Sequence, residues 1–237
     1  DKYMVNKKYE LTDETMEFRG HTLHRIKALK SFGGNIKSGD LGGWIESEHN
    51  LDSRKSCWIY NNAKVYGDAI VIGDAYVKDN AVICGNSLVQ QFAHITDNAY
   101  VYNSNVFNNA HIINNASIFD SAAGANAYVR EKAIIRNNSL LLGVCNICGH
   151  ARIDHTFISD RVEIGNYANI IDTSGYLYIN IASSFCTFYK SDDKIMMQGP
   201  ICSGSLDDFI KIVIEEGNTP NKYLPMINYV KSYFGEE

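Results

Sequence analysis

A mainly β chain, wound as a parallel solenoid between a β cap and a small α+β module, is predicted by three observations. Apolar residues recur every six positions, a small residue stands two before each, and glycine, aspartate or asparagine mostly fills the gaps between units. The stretch "NNAKVYGDAIVIGDAYVKDNAVICGN", residues 61–86, shows all three. A short strand and then a corner, repeated at this period, turns alternate side chains inward and carries the chain back over itself.

The aliphatic series opens with Ile59, Val65, Val71, Val77, Ile83, Val89, Ile95 and Val101. Its small companions are Cys57, Ala63, Ala69, Ala75, Ala81, Ser87, Ala93 and Ala99. Pairs such as Gly67-Asp68, Gly73-Asp74, Gly85-Asn86 and Asp97-Asn98 tolerate left-handed backbone and supply the corners. Past Val101 the series runs through Val106, Ile112 and Ile118 and blurs at "DSAAGAN". It resumes with Val129, Ile135, Leu141, Ile147, Ile153, Ile158, Ile164 and Ile170, giving six to seven coils over residues 57–172. The slips are five-residue steps, which a corner absorbs by losing a residue. Each buried aliphatic contributes about 1.5–3 kcal/mol before chain entropy is subtracted, so only the stack is stable. An open stack also needs covered ends.

Residues 1–56 lack the period and form the first cap, with "HTLHRIKAL" and "GGWIES" as strands and a glycine-rich turn at Gly39, Gly42 and Gly43. Residues 173–237 form the second. There "SFCTFYKSDDKIMMQG" alternates like a hairpin around Ser191-Asp192-Asp193. A helix follows, capped by Ser205, with Asp207 and Asp208 in its first turn and its stop at Gly217. Another starts at Thr219-Pro220 and places Tyr223, Ile227, Val230 and Phe234 on one face. All three prolines, Pro200, Pro220 and Pro225, fall in this module and none in the solenoid.

An aliphatic residue followed four positions later by a small one, as Val65 by Ala69 and Val71 by Ala75, resembles the hexapeptide-repeat family. The resemblance implies a left-handed, triangular parallel β-helix with about eighteen residues per coil, and a tendency to trimerise. It implies little about function. Two further runs, "IKSGDLGGWIESEHNLDSRKSCWIYNNAKVYGDA" and "TFYKSDDKIMMQGPICSGSLDDFIKIVI", resemble uncharacterised phage and prophage hexapeptide-repeat proteins labelled polymer-forming or putative transferase. That likeness implies a viral or mobile-element setting without an established chemistry.

Composition narrows the rest. With 45% apolar residues and a net charge of -5, the chain belongs with folded rather than disordered proteins. Lys64, Lys78, Arg130, Arg136 and Arg152 alternate with Asp68, Asp74, Asp97, Glu131 and Asp154, so neither a basic nucleic-acid stripe nor an acidic mimic is expected. There is no apolar run long enough to span a membrane, and "DKYMVNKKYE" lacks the apolar stretch of a signal peptide, which points to the cytoplasm, that of a bacterial host if the phage likeness holds. The six cysteines, irregularly spaced, read as buried thiols.

Stacking every third unit predicts the outer faces. The units of Ile59, Val77, Ile95, Ile112 and Val129 are preceded by Trp58, Tyr76, His94, His111 and Tyr128, a column of rings. Such a column either stabilises the stack or binds a planar ligand or partner, because rings supply contact area at low entropic cost. The units of Val71, Val89, Val106, Leu141 and Ile158 turn Ile70, Ile72, Leu88, Phe107, Leu140, Leu142 and Phe157 outward. So long an apolar strip calls for a cover, either the C-terminal helices or a second subunit in a homodimer or homotrimer.

Two enzymatic readings follow the residues less closely. A hexapeptide acyltransferase would use His94 or His111 as general base, but no inserted loop to hold an acyl carrier and no acidic partner is visible. A zinc site could draw on Cys145, Cys148, His150 and His155, yet the spacing is uncommon and the register turns Cys145 inward and Cys148 outward. The histidine pair has the spacing found in γ-class carbonic anhydrases, but Asp154 separates Ile153 from His155 and shifts the register by one. "SGDLGGW" is a turn rather than a phosphate cradle, since no helix N-terminus follows. The expectation is a binding protein without catalysis or cofactor, whose partner is a host defence protein, a small nucleotide signal or another viral protein.

Overall fold

The computed structural model describes residues 7–159, 161–181, 183–200, 202–215 and 222–236. Its body is a parallel β-solenoid of about seven turns, with three sheets along its sides. The seven-stranded sheet runs from Trp58–Ile59 through Tyr76–Val77, His94–Ile95, His111–Ile112, Tyr128–Val129 and Asn146–Ile147 to Glu163–Ile164. The six-stranded sheet runs from Ile70–Val71 to Phe157–Ile158. The third, ten-stranded, takes Leu41–Ile45 and then Lys64–Val65 through to Asn169–Ile170.

Most of these strands are two or three residues long, and in each the aliphatic of the six-residue series is fully buried. Corners form where side chains tolerate positive φ. One corner stacks Asn61, Asp79, Asp97, Asn114, Glu131, Gly149 and Asn166, every one left-handed. Their side chains tie coil to coil: Asp97 Oδ2 accepts from the Asn114 amide N–H at 2.8 Å, and Glu131 Oε2 from that of Gly149 at 2.6 Å.

Equivalent residues lie 18 or 17 apart. The three shortened steps, Val101 to Val106, Ile118 to Ala123 and Ile153 to Ile158, all fall on one corner, between the ten- and six-stranded sheets. "DSAAGAN" is therefore a regular coil in which Ala122–Ala123 forms the strand and Ala123 occupies the aliphatic slot. On this corner the small slot holds hydroxyls: Ser87, Ser104, Ser121, Ser139 and Thr156 are buried. Ser104 N donates to Ser87 Oγ, Ser121 N to Ser104 Oγ, Ser139 N to Ser121 Oγ and Thr156 N to Ser139 Oγ, at 3.1–3.2 Å.

The first cap is shorter than the segment the sequence assigns to it, and its strands continue a solenoid sheet. Tyr9–Phe18 and His21–Ala28 form an antiparallel hairpin that joins the ten-stranded sheet through Leu41–Ile45, so the first coil starts inside the segment assigned to the cap. Gly42 and Gly43 lie in that strand and not in a turn, which Gly39 makes at φ +95. A Cβ on Gly42 would come within 2.6 Å of Ile26 and Trp58, and one on Gly43 within 2.5 Å of Ile59. Leu23, Met16 and Phe18 then pack on Trp44, Tyr66, Cys84 and Tyr100, covering the start of that face.

Both ends replace a missing coil. Along the stack Ala75 O accepts from Trp58 N, but among the described residues no strand precedes Trp58–Ile59 in its sheet, and Lys8 Nζ donates to the Cys57 carbonyl at 2.7 Å and to that of Lys55 at 2.9 Å. Tyr9 Oη donates to Leu51 O at 2.7 Å. At the far end Glu163 N donates to Thr187 Oγ1 and Tyr167 N to Ser191 Oγ, where coil carbonyls would otherwise stand. These backbone groups are thus satisfied without a further coil to aggregate upon.

The C-terminal module is a four-stranded antiparallel sheet with two helices. Its central hairpin, Ser184–Ser191 with Lys194–Gln198, turns through Asp192 and Asp193 at φ 49 and 62. The first helix, Leu206–Glu215, begins with a reciprocal cap between Ser205 and Asp208; the expected stop, Gly217, lies outside the described residues. The second, Leu224–Tyr233, has Pro225 in its first turn, while Thr219 and Pro220, expected to start it, also lie outside them. Leu206, Phe209, Val213, Ile227 and Val230 are buried against Ile181, Phe188, Ile195 and Met197, so the helices cover their own sheet and not the aliphatic side of the solenoid.

Candidate functional site

The seven-stranded face pairs Trp58 with Tyr76, Tyr76 with His94, His94 with His111, and His111 with Tyr128, followed by Asn146 and Glu163. Four of the expected rings form one continuous stack. Tyr76 and His94 stack at 4.0 Å with 26° between planes, His94 meets His111 edge-on at 4.5 Å, and His111 lies on Tyr128 at 4.3 Å with 7° between planes. Short strands place one outward residue of each coil beside its neighbour, so rings at equivalent positions meet at stacking distance.

Trp58 departs from the expectation. It occupies the column but is only 1% exposed, sealed beneath Phe32 and Tyr9 of the N-terminal segment, and it serves the core instead of a ligand. Its place at the open end is taken by Tyr60, edge-on to Tyr76 at 6.1 Å. Tyr60, Tyr76, Lys78 and Asn35 line a cavity of about 250 Å³. Tyr60 was readable in the alternation, two residues after Trp58; Asn35 comes from an irregular loop and leaves no signal.

The two imidazoles of the stack favour their neutral form. Burial, and then the neighbouring His111, hold the His94 imidazole down to about 4. Burial also lowers His111. Burial raises Tyr60 and Tyr76 above the usual phenol range. Among the described residues no carboxylate hydrogen-bonds to either imidazole, so nothing fixes a tautomer or stabilises an imidazolium as a general base requires. The arrangement can stack, desolvate and accept or donate neutral hydrogen bonds; it is poorly built to move a proton.

The aliphatic side is less continuous than the sequence suggested. Its outward column reads Ile70, Leu88, Asn105, Ala122, Leu140 and Phe157: the Val106 unit turns Asn105 outward, and the Ala123 coil adds Ala122. Asn105 and Ala122 split the strip. Ile70, Ile72 and Leu88 line a groove with Tyr9 and Leu51 at one end. Leu140, Leu142 and Phe157 lie at the other, with Phe157 48% exposed. Phe107 lies over Gly124, where a Cβ would meet its ring at 2.3 Å and which therefore has no side chain.

The four zinc-type residues do not converge. Cys145 points into the core and burial pushes its thiol up to about 12, while Cys148 is partly exposed. His150 stacks on Tyr167, and His155 bonds Asp154 at 2.9 Å. Among the described residues no three His, Cys, Asp or Glu side chains are placed to hold a metal ion, and no helix is long and apolar enough to cross a membrane. No family model matches the chain, and no curated protein matches it.

Proposed function

We propose that the protein is a non-catalytic binding protein, a hexapeptide-repeat β-helix of phage or prophage origin, which engages a host defence protein through the ring column. The observation that carries this reading is the continuous ring contact of Tyr76, His94, His111 and Tyr128, whose two imidazoles favour the neutral form and have no hydrogen-bonded carboxylate among the described residues. Rigid rings on a rigid sheet supply contact area while losing little entropy on binding, and a neutral surface is desolvated at lower cost than a charged one. Self-association through Leu140, Leu142 and Phe157 belongs to the same reading, because these large side chains cluster at one end of a face that the helices leave uncovered.

Native mass spectrometry of the protein gently purified from bacterial cells tests it. A protein-sized extra mass supports the reading; a mass of a few hundred daltons would replace the protein partner by a small nucleotide or similar ligand. Turnover of acetyl-coenzyme A that disappears in His94→Ala or His111→Ala, with folding intact, would overturn it in favour of the acyltransferase.

A further inference from the structure

We propose that a second groove, on the corner between the seven- and ten-stranded sheets near the C-terminal end of the solenoid, binds a nucleoside phosphate. On four successive coils of this corner an asparagine, Asn62, Asn80, Asn98 and Asn115, follows the left-handed residue, and two of the amides bond the next coil: Asn80 Nδ2 donates to Asn98 Oδ1 at 3.3 Å and Asn98 Nδ2 to Asn115 Oδ1 at 3.1 Å. The series then stops. The next three coils place Lys132, His150 and Tyr167 there, with Lys132 N bonded to Gly149 O and His150 N to Asn166 O. In a repeat, giving up the asparagine that Asn62, Asn80, Asn98 and Asn115 supply at this position is a departure that the fold itself does not require.

The residues that replace the amides are suited to one ligand chemistry. Lys132, His150 and Tyr167 form one wall of a cavity of about 530 Å³, and Ile134, Arg152 and Asn169 of the adjoining sheet form the other. This size lies within the range of about 300–1,000 Å³ that small-molecule sites occupy. Lys132 and Arg152 are exposed cations, and neither takes part in an ion pair among the described residues. The adjacent carboxylate, Glu131, is already engaged by Arg130 Nη1 and Gly149 N. A guanidinium fork and an ammonium are the usual partners of a phosphate. His150 and Tyr167 lie parallel at 4.7 Å with 17° between planes, and Tyr167 is 59% exposed, which offers ring surface to a base. The groove shares no lining residue with the ring column, so the inference stands whether or not that column binds a partner.

Calorimetric titration of the full chain with adenosine 5′-monophosphate, adenosine and inorganic phosphate tests the assignment. The expected result is saturable binding of the nucleotide with Kd below about 1 mM, with adenosine and phosphate each at least about tenfold weaker. Arg152→Ala and Lys132→Asn should each weaken the nucleotide by about tenfold or more, the loss of one charged hydrogen bond. Lys132→Asn restores the amide of the repeat, so its melting temperature should equal or exceed that of the wild type and loss of binding cannot come from unfolding. Tyr76→Ala with Tyr128→Ala should leave the nucleotide affinity unchanged. Absence of binding at millimolar nucleotide, adenosine or phosphate binding as tightly as the nucleotide, wild-type affinity in both groove variants, or loss of affinity in the ring-column variant would each overturn the proposal.

Discussion

His94 is in the middle of the ring stack, and its depressed pKa has a consequence for stability. An unfolded histidine takes up its proton near 6.5, whereas the folded one holds off to about 4. Between those values the unfolded state binds more protons, so the stability due to neutral His94 is complete above about pH 6.5 and is lost as pH falls through that window. His111, lowered by burial, adds in the same direction. Urea unfolding at pH 7.5 and pH 5 should show a fall in stability that is smaller in His94→Gln. NMR should find the His94 ring unprotonated at pH 5.5. A second residue-scale expectation concerns Gly149, at φ +62 with the Asn166 nitrogen 2.6 Å from where a Cβ would stand. Gly149→Ala should cost at least about 2 kcal/mol in a denaturant titration, since left-handed strain adds to a backbone clash.

At the scale of elements, the end caps show what the repeat leaves undone. Lys8 is buried and donates to two carbonyls that a preceding coil would have served. Lys8→Met keeps the stem and removes the donor, so both carbonyls lose their partner; the expected cost is about 1–3 kcal/mol, read by urea unfolding, with amide exchange accelerated in the first coils and unchanged near Ile147. The repeating strands were legible because period six leaves few ways to assign inward and outward residues. Ser87 was legible as a small inward residue, but the hydroxyl column it begins was not. Ala123 escaped because an alanine in the aliphatic slot looks like a small-slot residue. The strand Tyr9–Phe18 escaped because it is mostly half-buried or exposed and its pairing shifts register between Leu11 and Thr15, so it lacks clean alternation.

Considered whole, the molecule separates support from recognition: aliphatics and small residues inside, ties between coils at the corners, and distinctive side chains only on the outer faces. The ring column was legible because outward residues of successive coils lie at a fixed spacing. The burial of Trp58 was not, because Phe32 and Tyr9 approach it from segments outside the repeat. The aliphatic strip is broken at two coils: the missed coil contributes Ala122, and the Val106 unit turns Asn105 outward before its strand aliphatic. If Leu140, Leu142 and Phe157 join two or three subunits, Leu142→Ser with Phe157→Ser should lower the sedimentation mass to that of one 26.5 kDa chain and leave the melting temperature of the solenoid nearly unchanged.

The claim that the ring column is the recognition surface is tested most directly by Tyr76→Ala combined with Tyr128→Ala, purified beside the wild type and weighed intact. Both rings lie on the outer face, so the variant should fold and melt close to the wild type while losing the mass that the wild type retains. A variant that keeps that mass in full, at unchanged melting temperature, would contradict the account and move recognition to another face.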